Sequence, residues 1–210
     1  VYTRPESMMA STKRHPAHIE ARFSADASGR LQAAVVDAVF NTGAYASWGP
    51  TVANRVPVHA TGPYYVPNVA TLGRAYLTNE PVAGAFRGFG VPQAAIAHET
   101  MMDDLAERLG MDRLVIRRRN ALRAGQTTAT GQKLEASCGL VACIDALAQK
   151  WKAALDAAAA FNATAAHTRR GVGIGCMWYG IGNTALSNPS SMRVGLGRDG
   201  VVTFYNGCAD

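Results

Sequence analysis

A glycine-rich stretch, Gly84-Ala-Phe-Arg-Gly-Phe-Gly90, separates two segments of different hydrophobic period. Residues 69–78 before it are predicted to form a strand, whereas from Pro92 onward the apolar spacing is helical. Glycines at such a junction permit backbone angles that other residues avoid, and they let N–H groups converge on one point. The stretch therefore predicts a strand, a tight loop and a helix N-terminus, an arrangement suited to holding an anionic oxygen or sulfur.

Patterns upstream of this stretch predict a β-hairpin followed by an irregular region. Residues 17–23 alternate, with Ile19, Ala21 and Phe23 on one face, and a turn at 25–29 leads into an apolar strand at 31–40. Residues 41–67 contain three glycines and four prolines. They allow a helical turn or two at 51–59 and are otherwise expected to be irregular.

Three helices are predicted downstream. The first begins near Pro92 and ends at Gly110, and its predicted buried stripe consists of Ile96, Met102, Leu105 and Leu109. Asp112 is the expected N-cap of a second helix that runs to about Leu122. A third helix covers 140–161, and the residues expected to pack are Leu140, Ile144, Leu147, Trp151 and Leu155.

The remaining chain predicts a second domain. Segments 171–179 and 190–206 are interpreted as three strands, with a tight turn at Gly197-Arg-Asp-Gly200. The change of pattern near residue 167 divides the chain into 1–167 and 168–210. The predicted fold class is α+β, incomplete at both ends, because the chain opens without Met and closes on a strand pattern.

Charge and length exclude some functions. The net charge is +6, from 17 arginines and 4 lysines against 15 acidic residues, but the basic residues are scattered apart from Arg117-Arg-Arg119 and Arg123. Nucleic-acid binding is therefore weakly indicated, and an anionic cofactor or an acidic partner subunit accounts for the charge equally well. No apolar run approaches the length of a membrane span.

The cysteines and histidines do not form a metal-binding pattern. Cys138, Cys143, Cys176 and Cys208 include no C-x-x-C pair, and the five histidines are dispersed. A zinc or iron–sulfur site on this chain is not expected, and reduced thiols in a cytosolic protein are the simpler interpretation. No catalytic triad is assigned.

Two features leave a choice between function and structure. The stretch at 84–90 is neither a dinucleotide fingerprint nor a P-loop, so it is either a different cofactor loop or a structural turn with Phe86 in the core. Arg55 lies in the apolar segment Thr-Val-Ala-Asn-Arg-Val-Pro-Val-His. It is either a buried clamp for an oxygen or carboxylate, or an ordinary surface arginine.

Several motifs together resemble the molybdenum-cofactor subunit of the xanthine dehydrogenase and aldehyde oxidase family. The resemblance is strongest at Ala85-Phe-Arg-Gly-Phe-Gly-Val-Pro-Gln93, and it covers nearly all 210 residues in collinear order. The other matching segments are Arg14-His-Pro16, Asn41-Thr-Gly-Ala-Tyr45, Arg55 with His59, Gly62-Pro-Tyr-Tyr-Val-Pro-Asn68, Glu99 to Met111, Arg117-Arg-Arg-Asn120 and Gly131-Gln-Lys-Leu134.

The resemblance implies a molybdopterin-binding domain and a role for each residue of the loop. Phe86, Arg87 and Gly88 are expected to bind the cofactor, Arg87 through its main chain. Arg55 and Phe89 are expected to bind substrate, the first by orienting it and the second by packing on its ring. No catalytic residue and no metal ligand are assigned to this chain, since the general-base Glu is expected beyond Asp210.

The resemblance also implies an activity and partners. The family hydroxylates aromatic N-heterocycles or aldehydes with oxygen from water. Arg55 and Phe89 favour a purine-like or nicotinate-like ring; aldehyde oxidation and a non-catalytic structural or assembly role are the alternatives. The expected cofactor is Mo-molybdopterin, in its cytosine dinucleotide form. The expected partners are the rest of the molybdenum subunit, a [2Fe–2S] subunit and an FAD subunit in a cytoplasmic enzyme, with this chain alone inactive.

Overall fold

The computed structural model describes residues 1–180 and 191–206 and mixes helices with strands, so the predicted α+β class is confirmed. Two compact units are present, Val1–Trp178 and Tyr179–Asp210. The elements in chain order are α1 Arg4–Ala10, β1 Ala17–Ala25, β2 Leu31–Gly43, α2 Gly49–His59, β3 Asn68–Leu77, α3 Val91–Arg108, α4 Arg113–Asn120, α5 Leu140–Thr164, β4 Arg193–Leu196 and β5 Val202–Tyr205.

The first unit contains a three-stranded sheet with β2 at its centre. Strands β1 and β2 pair antiparallel, which confirms the predicted hairpin, with Ala17 opposite Phe40. Strand β3 lies parallel to β2, and a parallel pair needs a crossover, which α2 supplies. One face of β2 is buried at Val36, Ala38 and Phe40.

Helix α2 is longer than the sequence suggested. It spans Gly49–His59 in spite of Pro57 inside it, where proline removes a backbone donor. Val52, Ala53 and Val56 of this helix are buried against the face of β2. Tertiary packing thus stabilises a continuous helix where the sequence allowed one or two helical turns.

Helix α3 is placed as predicted, but one residue of its stripe is misassigned. Met102 is fully buried and Leu105 is half-buried, whereas Ile96 is 72% exposed. Ile96 lies along an open groove between β1 and α3, where Ile19 and Met101 also contribute. The helical period alone could not tell the core side from the groove side.

The capping prediction for α4 is confirmed. The Asp112 carboxylate accepts hydrogen bonds from the backbone N–H groups of Leu114 (2.8 Å) and Val115 (3.1 Å), and the helix ends at Asn120.

In α5 the predicted packing stripe is only partly right. Ile144 is buried, and Leu140 and Trp151 pack against the core, but Leu147 and Leu155 are exposed.

The C-terminal expectations are mixed. The predicted strand at 171–179 is wrong, since residues 171–180 have no regular secondary structure. Within 191–206, β4 and β5 pair antiparallel around the predicted turn, where the Gly197 N–H donates to the Val201 carbonyl at 2.8 Å. Residue 190 of the predicted segment and Cys208 lie outside the described residues. Helix α1 was not predicted, and the domain boundary at 167 stays a prediction.

A buried polar cluster joins α3 to α4, and we call it the carboxylate network. The Glu99 carboxylate accepts from the Tyr64 hydroxyl (2.6 Å) and the Arg117 Nε (2.8 Å), with His98 Nδ1 at 3.2 Å. Arg117 is fully buried and also pairs with Asp103 at 2.8 Å. Because a buried charge is costly unless it is paired, this network stabilises the packing of the two helices.

Candidate functional site

The loop between β3 and α3 is built on three successive residues with left-handed backbone. Gly88, Phe89 and Gly90 have φ values of 91°, 50° and 98°. A side chain at Gly90 would place its Cβ 2.4 Å from the Val52 carbonyl oxygen of α2. Glycine is thus required there by both conformation and close approach. Phe89, which is not a glycine, holds a strained conformation of the kind that clusters at functional sites.

Three consecutive backbone N–H groups of this loop have no acceptor among the described residues. The Phe89 N–H bonds the Phe86 carbonyl (2.8 Å), and the Val91 N–H bonds the Gly88 carbonyl (2.9 Å). The N–H groups of Phe86, Arg87 and Gly88 donate to no acceptor within residues 1–180 and 191–206. Phe86 is 47% exposed, so the alternative of a structural turn with this ring in the core is wrong.

Arg55 and Phe89 come together although 34 positions separate them in the sequence. Arg55 lies on α2 and is only 4% exposed, so the surface alternative for this residue is wrong. Its guanidinium carbon lies 5.8 Å from the centre of the Phe89 ring. Phe89 also makes an edge contact with Trp48, with ring centres 5.8 Å apart. A buried cation and an aromatic ring therefore lie side by side next to the loop.

His59 and Trp178 support the same part of α2, and sequence reasoning gave neither a site role. His59 Nδ1 lies 3.0 Å from the Arg55 carbonyl oxygen, which indicates that Nδ1 carries the proton. The Trp178 ring lies 4.4 Å from the His59 ring, and its Nε1 donates to the Gly62 carbonyl at 2.9 Å. Burial lowers the pKa of His59, so the imidazole is neutral near pH 7. The i, i+4 spacing of Arg55 and His59 was the available signal.

Residues 13–15 run along the loop, and no role in the site was predicted for them from the sequence. The Gly84 N–H donates to the Lys13 carbonyl (3.0 Å), and the Gln93 side-chain amide donates to the His15 carbonyl (3.1 Å). Between these two attachments, Arg14 donates through Nη2 to the Arg87 carbonyl oxygen. The match at Arg14-His-Pro16 was the signal that could have found this segment.

Three buried polar atoms around this segment have no hydrogen-bond partner among the described residues. They are Arg14 Nη1, His15 Nε2 and Gln93 Oε1. Burial lowers the pKa of His15, which favours a neutral ring. Buried polar groups in folded proteins are normally paired, so unpaired atoms beside an open loop indicate a functional region.

Two further findings concern metals and membranes. Within the part of the chain that the structure describes, no group of three or more His, Cys, Asp or Glu side chains is placed to hold a metal ion. Cys138, Cys143 and Cys176 are free thiols. No helix in the described ranges is long and apolar enough to cross a membrane.

Known proteins share this sequence and fold. Residues 1–121 match the family model described as molybdopterin cofactor-binding domain. The nicotinate dehydrogenase large molybdopterin subunit of Eubacterium barkeri is 49% identical over 150 residues, or 71% of this chain and 35% of that protein. The aldehyde oxidoreductase of Megalodesulfovibrio gigas is 36% identical over 211 residues, covering 100% of this chain and 23% of that protein.

A solved structure agrees with these sequence matches. The aldehyde oxidoreductase from Desulfovibrio desulfuricans superimposes with a TM-score of 0.83 at 31% identity, over 92% of this chain and 21% of that one. The chain thus spans about a quarter to a third of the length of the first two relatives. With a family model that matches more than half of its residues, the chain belongs to the molybdopterin cofactor-binding domain family.

Proposed function

We propose that this chain is part of a molybdenum hydroxylase, a molybdopterin-dependent oxidoreductase that oxidises an aromatic N-heterocycle with oxygen derived from water. The observation that carries the proposal is the pairing of buried Arg55 with Phe89 beside the glycine loop. A planar ring packs well on Phe89, and a guanidinium binds a ring oxygen or carboxylate through two parallel hydrogen bonds. A nicotinate-like or purine-like ring has both features.

The loop suits the cofactor of this family. The N–H groups of Phe86, Arg87 and Gly88 have no acceptor among the described residues, and they suit the anionic and sulfur acceptors of a pterin dithiolene. Gly88 has a positive φ of 91°, and a Cβ there would lie 2.4 Å from Pro92 Cγ, so this conformation of the loop requires glycine. We therefore assign cofactor binding to these three residues. When bound, the cofactor supplies the oxidising centre of the reaction.

The residues of this chain then have distinct tasks. Arg55 orients the substrate by its polar group, and Phe89 holds the plane of the ring and excludes water on one side. His59 binds the Arg55 backbone carbonyl through Nδ1 and so supports the turn of α2 that carries Arg55. The base that takes the proton is proposed to be a Glu beyond Asp210, so this chain alone is proposed to be inactive.

The relatives support the substrate class. The 49% identity is to a subunit whose name specifies nicotinate, and a nicotinate-like carboxylate matches the planar donor fork of a guanidinium such as that of Arg55. Aldehyde oxidation is the second candidate, because an aldehyde oxidoreductase aligns with the chain along its whole length. A non-catalytic structural or assembly role is the third alternative, and stoichiometric molybdenum with turnover would exclude it.

Other parts of the assembly remain predictions from the resemblance. They are the cytosine dinucleotide form of the cofactor, [2Fe–2S] clusters and FAD on partner domains or subunits, and a cytoplasmic location. The remainder of the molybdenum subunit is proposed as the immediate partner of this chain.

Kinetics of the complete enzyme test the substrate assignment. Arg55→Ala should lower kcat/KM for a carboxylated heterocycle such as nicotinate about 10- to 150-fold, because a charged hydrogen bond contributes roughly 1.5–3 kcal/mol. Arg55→Lys should recover little of this loss, since lysine lacks the planar fork. Phe89→Ala should weaken use of the flat ring by about 0.5–1.5 kcal/mol more than use of a small aliphatic aldehyde.

Molybdenum content is the control for these variants. It should stay normal in all three, because neither side chain is assigned to the metal, and Arg118→Lys on the exposed face of α4 should leave both substrates unaffected. Equal losses for the heterocycle and the aldehyde, or loss of molybdenum, would remove the substrate role of Arg55 and Phe89.

A further inference from the structure

Arg14 holds the back of the glycine loop through two different contacts. Its Nη2 donates to the Arg87 carbonyl oxygen, and its guanidinium carbon lies 4.7 Å from the centre of the Phe86 ring. These two contacts fix one peptide group and one side chain of the loop from the same side. A guanidinium can make both contacts at once because it is planar, with donors at its edge and a face that stacks on rings.

The hydrogen bond to Arg87 determines where the next N–H points. The peptide between Arg87 and Gly88 is trans, so its carbonyl and its N–H point in opposite directions. Because Arg14 binds the carbonyl, the Gly88 N–H is directed away from Arg14. That N–H has no acceptor within residues 1–180 and 191–206. It is therefore held ready for an acceptor that the described chain does not provide.

The second terminal nitrogen of Arg14 also lies close to Gly88. Its Nη1 is buried without a hydrogen-bond partner in the described part of the chain, and it would lie 3.7 Å from a Cβ placed at Gly88. The flanking attachments of Lys13 to Gly84 and of His15 to Gln93 keep Arg14 from moving along the loop. Three consecutive residues thus brace one face of the loop and leave the opposite face open.

We propose that Arg14 is a positioning residue for the cofactor: it aims the Gly88 N–H at an anionic or sulfur acceptor of the molybdenum cofactor and adds positive charge behind that donor. The inference rests on the proposed function, because the acceptor belongs to the cofactor. It goes beyond that function by assigning cofactor retention to a side chain that need not touch the cofactor. A charge behind a peptide polarises it and strengthens its N–H as a donor.

The test compares hydrogen exchange and molybdenum retention in the complete enzyme and three variants. In wild type the Gly88 amide should exchange slowly with the cofactor bound and at least about tenfold faster after its removal. In Arg14→Ala holoenzyme the same amide should exchange at least about tenfold faster than in wild type. Molybdenum should also be lost about tenfold faster during dialysis, where tenfold corresponds to about 1.4 kcal/mol.

Two further variants separate positioning from general stability. Arg14→Lys keeps the charge and one donor but not the planar stacking, so it should recover only part of both readouts. Arg22→Ala removes an exposed arginine of β1 and should behave as wild type. If Arg14→Ala does not fold, Arg14→Lys alone carries the test.

The outcomes distinguish the two proposals. Wild-type enzyme that holds no molybdenum would overturn the proposed function, and this inference with it. Wild-type enzyme that holds molybdenum but leaves the Gly88 amide unprotected would overturn only the role of Arg14. Wild-type exchange and wild-type retention in both Arg14 variants would do the same.

Discussion

Two arginines of this molecule lie in opposite surroundings. Arg117 of the carboxylate network is fully buried, and all three of its nitrogens have partners, including the Arg113 carbonyl at 3.1 Å from Nη1. Arg14 behind the glycine loop has one nitrogen bonded and another buried without a partner among the described residues. A buried guanidinium whose nitrogens are all bonded stabilises the fold, whereas one with an unpaired nitrogen beside a cofactor loop indicates a functional region.

The backbone shows the same contrast. The carboxylate network is carried by α3 and α4 with ordinary helical geometry, whereas the loop contains left-handed Phe89 between Gly88 and Gly90. Left-handed backbone costs a non-glycine residue roughly 1–2 kcal/mol, which the surrounding packing must offset. The comparison predicts that damage to the network lowers stability first, and that damage to the loop backbone or to its support by Arg14 lowers cofactor retention first.

The largest effect on stability is expected from Arg117→Ala. It leaves Glu99 and Asp103 without their buried partner, at a cost of about 3–5 kcal/mol, equivalent to roughly 6–20 °C in Tm for a domain of this size. Thermal denaturation of the complete enzyme checks it. Arg118→Ala is the matched control, because its pair with Asp145 is exposed and its loss should leave Tm nearly unchanged. Equal shifts for the two neighbours would contradict the comparison.

A smaller effect on stability, with a larger one on the cofactor, is expected from Gly90→Ala. The new Cβ meets the Val52 carbonyl oxygen in addition to the left-handed strain, for a total of about 2–5 kcal/mol. Gly110→Ala is the control, since Gly110 also has a positive φ of 58° but nothing lies within 4 Å of its Cβ position. Gly90→Ala should lose molybdenum and Gly110→Ala should keep it, as metal analysis of the purified proteins would reveal.

The smallest effect is the pH dependence of Glu99. Burial alone raises its pKa, but hydrogen bonds from His98 and Tyr64 and the charge of Arg117 outweigh burial and hold the pKa below the ordinary value of 4.5. Glu99 therefore contributes stability that is present above about pH 4.5 and is lost as the pH falls through its lower folded pKa.

Glu99→Gln measures this contribution. It should cost about 1.5–3 kcal/mol at pH 7, and the Tm difference from wild type should shrink as the pH falls from 5 toward 3. A Tm difference that stays constant across this range would show that the ionised carboxylate is not what stabilises the network.

Local patterns in the sequence were enough to determine the hairpin, the cap at Asp112 and the strand–loop–helix junction at 84–90. Each depends on residues a few positions apart, where alternation, a capping side chain or a run of glycines acts directly on the backbone. They failed where the local pattern was ambiguous: Ile96 has the helical spacing of a core residue but faces a groove.

The tertiary structure decided which residues form the site. Arg14 binds the Arg87 carbonyl across 73 positions, and buried Arg55 reaches Phe89 only because α2 crosses between two parallel strands. Such contacts depend on how elements pack, so they cannot be predicted from the periodicity or the caps of a single element. The motifs thus indicated that the loop has a functional role, while only the tertiary structure determined that Arg14 supports it and that Arg55 lies beside Phe89.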